Sequence, residues 1–135
     1  MKTLEQIQEE NHFVSFQKPI PELRNGYKDK KHLAEIALMS CVVCDKIKEK
    51  SKTRLEVHHS MRKGLGLKAS DLLTLPLCSF HHRTGNAGEA IHQGRNLWEK
   101  EFGTQEELLK IIVIKINNKK NKKIIEDFLS ITNNQ

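Results

Sequence analysis

The apolar and polar positions of the chain follow two periods, and the change from one to the other marks its elements. Arg54 to His58 alternates, with Leu55 and Val57 on one face and Glu56 on the other, which predicts a short strand ending at the pair His58-His59. Gly64-Leu-Gly66 then interrupts the chain. Leu72 to Cys78 predicts a second extended run in which Pro76 sets an edge or a turn. Ser79 to about Thr84 can open a helix that Gly85 closes. Upstream, Lys31 to Met39 predicts a helix with Leu33, Ile36 and Ala37 on one face, leading into Cys41. Downstream of Arg95 the period is helical: Leu97-Trp98, Phe102, Leu108-Leu109, Ile112-Val113 and Ile116 recur at that spacing. Gly103-Thr104 breaks the run, and Thr104-x2-Glu107 suits a capping box. Trp98, set among apolar positions, reads as core. Ile124-Ile125-x2-Phe128-Leu129 resumes an amphipathic helix after a tract rich in lysine and asparagine.

The N-terminal stretch is less regular. Leu4 to Glu10 can form a short helix, Phe13 to Phe16 alternates weakly, and Pro19-Ile-Pro21 forces an extended linker. The pattern divides the chain into an arm and linker over 1–30, one compact domain over 31–112 and a Lys/Asn-rich helical tail over 113–135. With 135 residues, 37% of them hydrophobic and 5% aromatic, the core is small and benefits from a covalent or metal staple. No run reaches the length of a membrane span, and the expected location is the cytoplasm.

Charge sharpens this picture. The chain carries a net charge of +6, and residues 41–95 hold ten Lys/Arg against five Asp/Glu, so five of the six excess charges lie in the central segment. An anionic partner such as a phosphate backbone fits there. Arg62, Lys63 and Lys68 sit in the loop between the two predicted strands, the place to clamp a phosphate, and Arg83 follows the histidines on the next helix. The lysines between Asp45 and Arg54 fit an ordinary solvated loop equally well.

The same segment carries the candidate chemistry. All three cysteines and four of the seven histidines fall into Cys41-Val-Val-Cys44, His58-His59 and Cys78-Ser-Phe-His81-His82. A two-residue spacer lets the backbone aim two thiolates at one ion, and Cys78-x2-His81 supplies a second such pair. Cys41, Cys44, Cys78 and His81 therefore form a Cys3His set suited to a closed structural zinc. Buried free thiols are the plain alternative. The odd cysteine count and the absence of a secretory signal disfavour disulfides. Strand, loop, strand and helix, with histidines ending the first strand and on the helix, describe a ββα-metal hairpin, and the fold class is α+β.

His58-His59 before a Gly-bearing loop, followed by Leu75-Pro76-Leu77-Cys78-x2-His81-His82, resembles the zinc-supported HNH endonucleases. More narrowly it is similar to the phage recombination-enhancement nucleases and related phage proteins, over about residues 32–109. The resemblance implies a metal-dependent DNA endonuclease of a phage or prophage, acting in the bacterial host cell and linked to DNA recombination. It implies His59 as the general base that activates water, and His58 and His82 as ligands of one catalytic divalent cation, Mg2+, Mn2+ or Zn2+. His92 closes that site in the resemblance, with Asn86 as the alternative. DNA is the implied partner, with a RecA-type recombinase filament as a second.

The middle Asn of the family is replaced by Leu73, so a backbone carbonyl or another side chain must orient His59. A catalytically idle zinc module that binds nucleic acid or a recombinase is the competing reading, and an RNA-directed toxin a weaker one.

Overall fold

In the computed structural model, residues 20–51, 53–60 and 69–133 are described. The architecture is α+β. Two antiparallel strands, β1 (Leu55–His59) and β2 (Thr74–Cys78), form a hairpin, and helices cover it. In order these are α1 (Lys30–Ala37), α2 (Val42–Lys46), α3 (Arg95–Phe102), α4 (Gln105–Val113) and α5 (Lys119–Asn133). Between β2 and α3 lie a π-helical turn, Phe80–Thr84, and a short 3-10 turn, Ile91–Gln93.

The strands pair in the register Leu55↔Cys78, Glu56↔Leu77, Val57↔Pro76, His58↔Leu75 and His59↔Thr74. Since side chains alternate along a strand and opposed residues share a face, Glu56, His58, Leu75 and Leu77 occupy one side. Leu55, Val57, His59, Thr74 and Pro76 occupy the other. A two-stranded hairpin is marginal alone. Here every residue of β2 is buried, because α1, α2 and α4 all pack on it. β2 begins two residues later than the apolar run Leu72 to Cys78 suggested: Leu72 and Leu73 are buried in the turn before it. Pro76 sits inside β2, in a sheet of two strands among the described residues, where its missing N–H costs no ladder bond.

The core joins Ile36 of α1, Val42 and Val43 of α2, Leu75 and Leu77 of β2, Trp98 of α3, Leu108, Leu109 and Ile112 of α4, and Ile125 and Leu129 of α5. The segment expected as a tail thus enters the same core as the hairpin. Trp98 is fully buried, as its apolar setting suggested. On α1 the expected apolar face needs correction. Ile36 is buried, but Ala37 is exposed, Leu33 is half-buried and the other fully covered position is His32. Asp29 caps this helix by accepting from the His32 N–H at 3.0 Å. The capping box at α4 holds: Thr104 Oγ1 accepts from the Glu107 N–H at 3.1 Å. No helix among the described residues is long and apolar enough to cross a membrane.

Candidate metal centres

Three segments bring the cysteines and His81 together. Cys41 is the cap of α2 and Cys44 lies in its first turn, so one short helix presents two sulfurs on the same side. Cys78 ends β2, and His81 lies in the π-helical turn three residues on. All four are buried, and one donor atom from each lies within 4.8 Å of the others. Cys44 Sγ is 3.8 Å from Cys78 Sγ, and His81 Nδ1 is 3.2, 3.4 and 3.9 Å from the sulfurs of Cys78, Cys44 and Cys41. None of the cysteines is in a disulfide. Burial, with the neighbouring Cys41 sulfur, pushes the Cys44 thiol far up, and burial also raises Cys41. A cation that replaces the thiol protons relieves that strain, and three sulfurs with one imidazole nitrogen are the donors of a structural zinc. The four residues can bind a metal ion such as zinc.

A second cluster is built from nitrogen alone. His58 of β1, His82 of the π-helical turn and His92 of the 3-10 turn offer donor atoms that also lie within 4.8 Å of one another. Their ring centroids are 5.1 Å apart for His58 and His82, 4.4 Å for His82 and His92, and 5.8 Å for His58 and His92. Burial first, with electrostatic repulsion from the neighbouring histidines adding to it, lowers the His58 imidazole to about 4. His92 is lowered as well, by burial first and then by His82 and Arg83. Both shifts favour the neutral ring, the form that ligates metals. Asn86 lies beyond the π-helical turn, which ends at Thr84, and its backbone N–H is bonded to Glu89 Oε1 at 3.1 Å.

Two residues that sequence reasoning passed over orient these rings. Glu56 Oε1 accepts from His82 Nδ1 at 2.8 Å, which leaves the Nε2 lone pair free, the arrangement that a carboxylate gives to a metal-binding histidine. Gln105, buried in the first turn of α4, holds His58 Nε2 at 3.0 Å through Oε1. The alternation of β1 places Glu56 on the His58 face and so carried a signal. Gln105, 47 residues further along the chain, carried none.

Arg83 is held by Glu56, its Nη2 at 2.7 Å from Oε2 and its Nε at 2.9 Å from Oε1. Arg54 reaches the same carboxylate at 3.4 Å. The Arg83 hydrogen bonds, joined by His82 and outweighing the opposing effect of burial, bring Glu56 down to about 2, so it stays ionised. Arg62, Lys63 and Lys68 lie outside the described residues.

His59 is not one of the three clustered histidines. Its Nε2 donates to Asp71 Oδ1 at 2.7 Å. Leu73, at the position of the missing Asn, is buried, and its carbonyl accepts from both the N–H and Oγ of Ser60 at 2.8 Å. Of the two ways to orient His59 that the sequence left open, a side chain, Asp71, is the one present.

The glycine that closes the turn is required by space. Gly85 N–H bonds the Phe80 carbonyl at 2.9 Å, and a Cβ at Gly85 would come within 2.8 Å of that oxygen. The φ of Gly85 is ordinary, so close approach rather than handedness selects glycine.

These features define a small α+β protein in which α2, the hairpin and the turns after it bring together a buried Cys3His set that could bind a metal ion and a second, all-histidine cluster. The chain belongs to the family described as protein of unknown function (DUF968), whose model matches residues 5–117. No curated protein and no solved structure matches it.

Proposed function

We propose that this protein is a metal-dependent DNA endonuclease of the HNH type, with the Cys3His site as its structural zinc and His58, His82 and His92 as the ligands of a catalytic divalent cation. The observation that carries the reading is the convergence of His58, His82 and His92 from a strand, a turn and a later loop, with donor atoms within 4.8 Å. A structural module has no use for a second, partly open cluster beside a closed one, whereas a three-ligand site leaves coordination positions for substrate. Imidazole nitrogens suit Zn2+ better than Mg2+ or Mn2+, which prefer oxygen ligands. A cation bound there supplies Lewis-acid stabilisation to the phosphate and to the departing 3′ oxygen.

The remaining steps belong to the chain. Glu56 and Gln105 fix the ring planes of His82 and His58, so that little reorganisation accompanies binding. His59, with its proton on the nitrogen facing Asp71, offers the Nδ1 lone pair to a water. That water loses its proton to His59 and its oxygen attacks phosphorus in line with the leaving 3′ oxygen. Basic groups of the central segment steer the phosphate backbone.

The test is cleavage of supercoiled plasmid and single-stranded circles with Mg2+, Mn2+ or Zn2+ and with EDTA, for wild type and His59→Ala, with and without a RecA-type filament. Cleavage abolished by EDTA and reduced by about 10²–10⁴-fold in His59→Ala is expected for a general base. Cleavage only on a filament places the protein in recombination. No cleavage of any substrate by a protein that holds its zinc refutes the reading in favour of an idle binding module.

A further inference from the structure

We propose that Asp71 is the positioning residue of His59: its carboxylate holds the ring so that Nε2 carries the proton and Nδ1 offers the lone pair. What His59 then does rests on the nuclease reading; how its ring is held rests on geometry alone.

A carboxylate has only acceptors. Asp71 uses one oxygen for His59 Nε2–H at 2.7 Å and the other for the backbone N–H of Asp29 at 2.8 Å. Its own backbone N–H is bonded to the Tyr27 carbonyl at 3.0 Å, so the residue is fixed at both ends. The His59 and Asp71 side chains are only 16% and 9% exposed, and a buried charge-assisted bond of this kind is among the stronger ones available.

Asp29 is held in turn. Its Oδ2 accepts from Asn121 Nδ2 at 3.1 Å and its Oδ1 from the His32 N–H at 3.0 Å. Asn121 is buried on α5, and its N–H is capped by Asn118 Oδ1 at 3.0 Å. A path of hydrogen bonds therefore runs from the C-terminal helix through Asp29 and Asp71 to His59. Asn121 lies beyond residues 5–117, so the support for His59 includes a contact from outside the matched segment.

Asparagine at position 71 gives the discriminating variant, since it has one acceptor where aspartate has two. The Asp29 N–H cannot change, but an imidazole can exchange tautomers. Asp71→Asn should set its carbonyl on the Asp29 N–H and its NH2 on His59, driving the ring to carry its proton on Nδ1 and removing the lone pair offered to water.

The experiment uses the full chain, zinc-loaded and labelled with 15N-histidine, and assigns the protonated nitrogen of His59 from long-range 1H–15N correlations at about pH 8, above the ordinary imidazole range. Wild type should show Nε2–H and Asp71→Asn should show Nδ1–H. In plasmid cleavage Asp71→Asn should lower kcat by about 10²–10⁴-fold with little change in KM, and the double variant with His59→Ala should be no worse than His59→Ala alone.

A wild-type His59 protonated on Nδ1, or an Asp71→Asn protein with an unchanged tautomer, overturns the proposal. If the variant loses its zinc, the wild-type spectrum alone decides. If wild type cleaves nothing, the nuclease reading fails while the spectra still decide how His59 is held.

Discussion

Replacing Cys44 by serine should cost the protein its structural metal and most of its stability. With Zn–S distances of about 2.3 Å and Zn–N of about 2.0–2.1 Å, a tetrahedral ion requires sulfur pairs about 3.8 Å apart and sulfur–nitrogen pairs about 3.5 Å apart. The chain places Cys44 and Cys78 at 3.8 Å, and His81 at 3.2 to 3.9 Å from the three sulfurs, so shifts of a few tenths of an ångström complete the site. The ion would tie α2, the end of β2 and the π-helical turn together. Structural zinc of this kind contributes about 10–16 kcal/mol of apparent binding energy at neutral pH. A domain's net stability is about 5–15 kcal/mol. Loss of the metal is therefore comparable with the whole stability, and Cys44→Ser should lose at least about 4 kcal/mol, lowering Tm by about 15 °C or more. Zinc per chain by elemental analysis, Co2+ substitution monitored by thiolate-to-metal absorption, and a circular-dichroism melt measure the three parts of the claim. Because burial holds Cys41 and Cys44 protonated, metal uptake must expel thiol protons, so apparent affinity should fall as pH falls. A Cys44→Ser protein that keeps the wild-type zinc content and melts within about 2 °C of wild type would refute the structural role.

Two further outcomes test the all-histidine cluster. Glu56→Gln weakens the hold on His82 Nδ1–H and should lower affinity for a second metal equivalent by about 10–100-fold while leaving the first unchanged; competition titration with Zn2+ or Mn2+ measures it, and equal second-site affinities would exclude the role of Glu56. His58 has its folded-state imidazole lowered to about 4, chiefly by burial, against an ordinary value of 6.5. Protonation therefore favours the unfolded chain: no stability is lost above pH 6.5, and the loss grows as pH falls toward about 4, to about 3 kcal/mol in total and about 1 kcal/mol by about pH 5.5. In denaturant titrations without added metal, the advantage of wild type over His58→Gln should shrink by that amount between about pH 7.5 and 5.5, and a constant difference would contradict the burial of His58.

The parts of the fold set by local spacing were legible. The Cys-x2-Cys pair belongs to one short helix and the Cys-x2-His pair to the end of β2 and the turn that follows it directly, so their convergence needed only that these two stretches meet. The strand at Leu55, the glycine closing the turn at Gly85 and the cap at Thr104 are likewise local. His92 depended on a resemblance and not on spacing, and the 3-10 turn that carries it toward His82 has no strong sequence signature. Asp71, Gln105 and Asn121 were missed because their roles are tertiary. Each is a polar residue without periodicity, and its meaning comes from a partner 12 to 92 residues away. His32 was passed over for a related reason: a histidine facing a core from a helix contradicts the binary pattern, and only burial reveals it.

The two adjacent histidine pairs show how a small chain separates several chemical environments. In β1 the alternation of side chains sends His58 toward His82, His92 and Gln105 and sends His59 to Asp71 on the opposite side. In the π-helical turn, successive residues are rotated by roughly a quarter of a turn or more, which sends His81 to the cysteines and His82 to the histidine cluster. Two dipeptides thus feed three sites, and the five-residue turn Phe80–Thr84 belongs to both metal centres. The consequence is directional. Losing the Cys3His ion releases His81 and with it the backbone that aims His82, so the second site cannot outlast the first. Losing the His58, His82 and His92 site leaves the cysteines, the core and the turn in place. A metal ion held by the Cys3His set would therefore make the all-histidine cluster conditional on that ion, because both draw on the same turn.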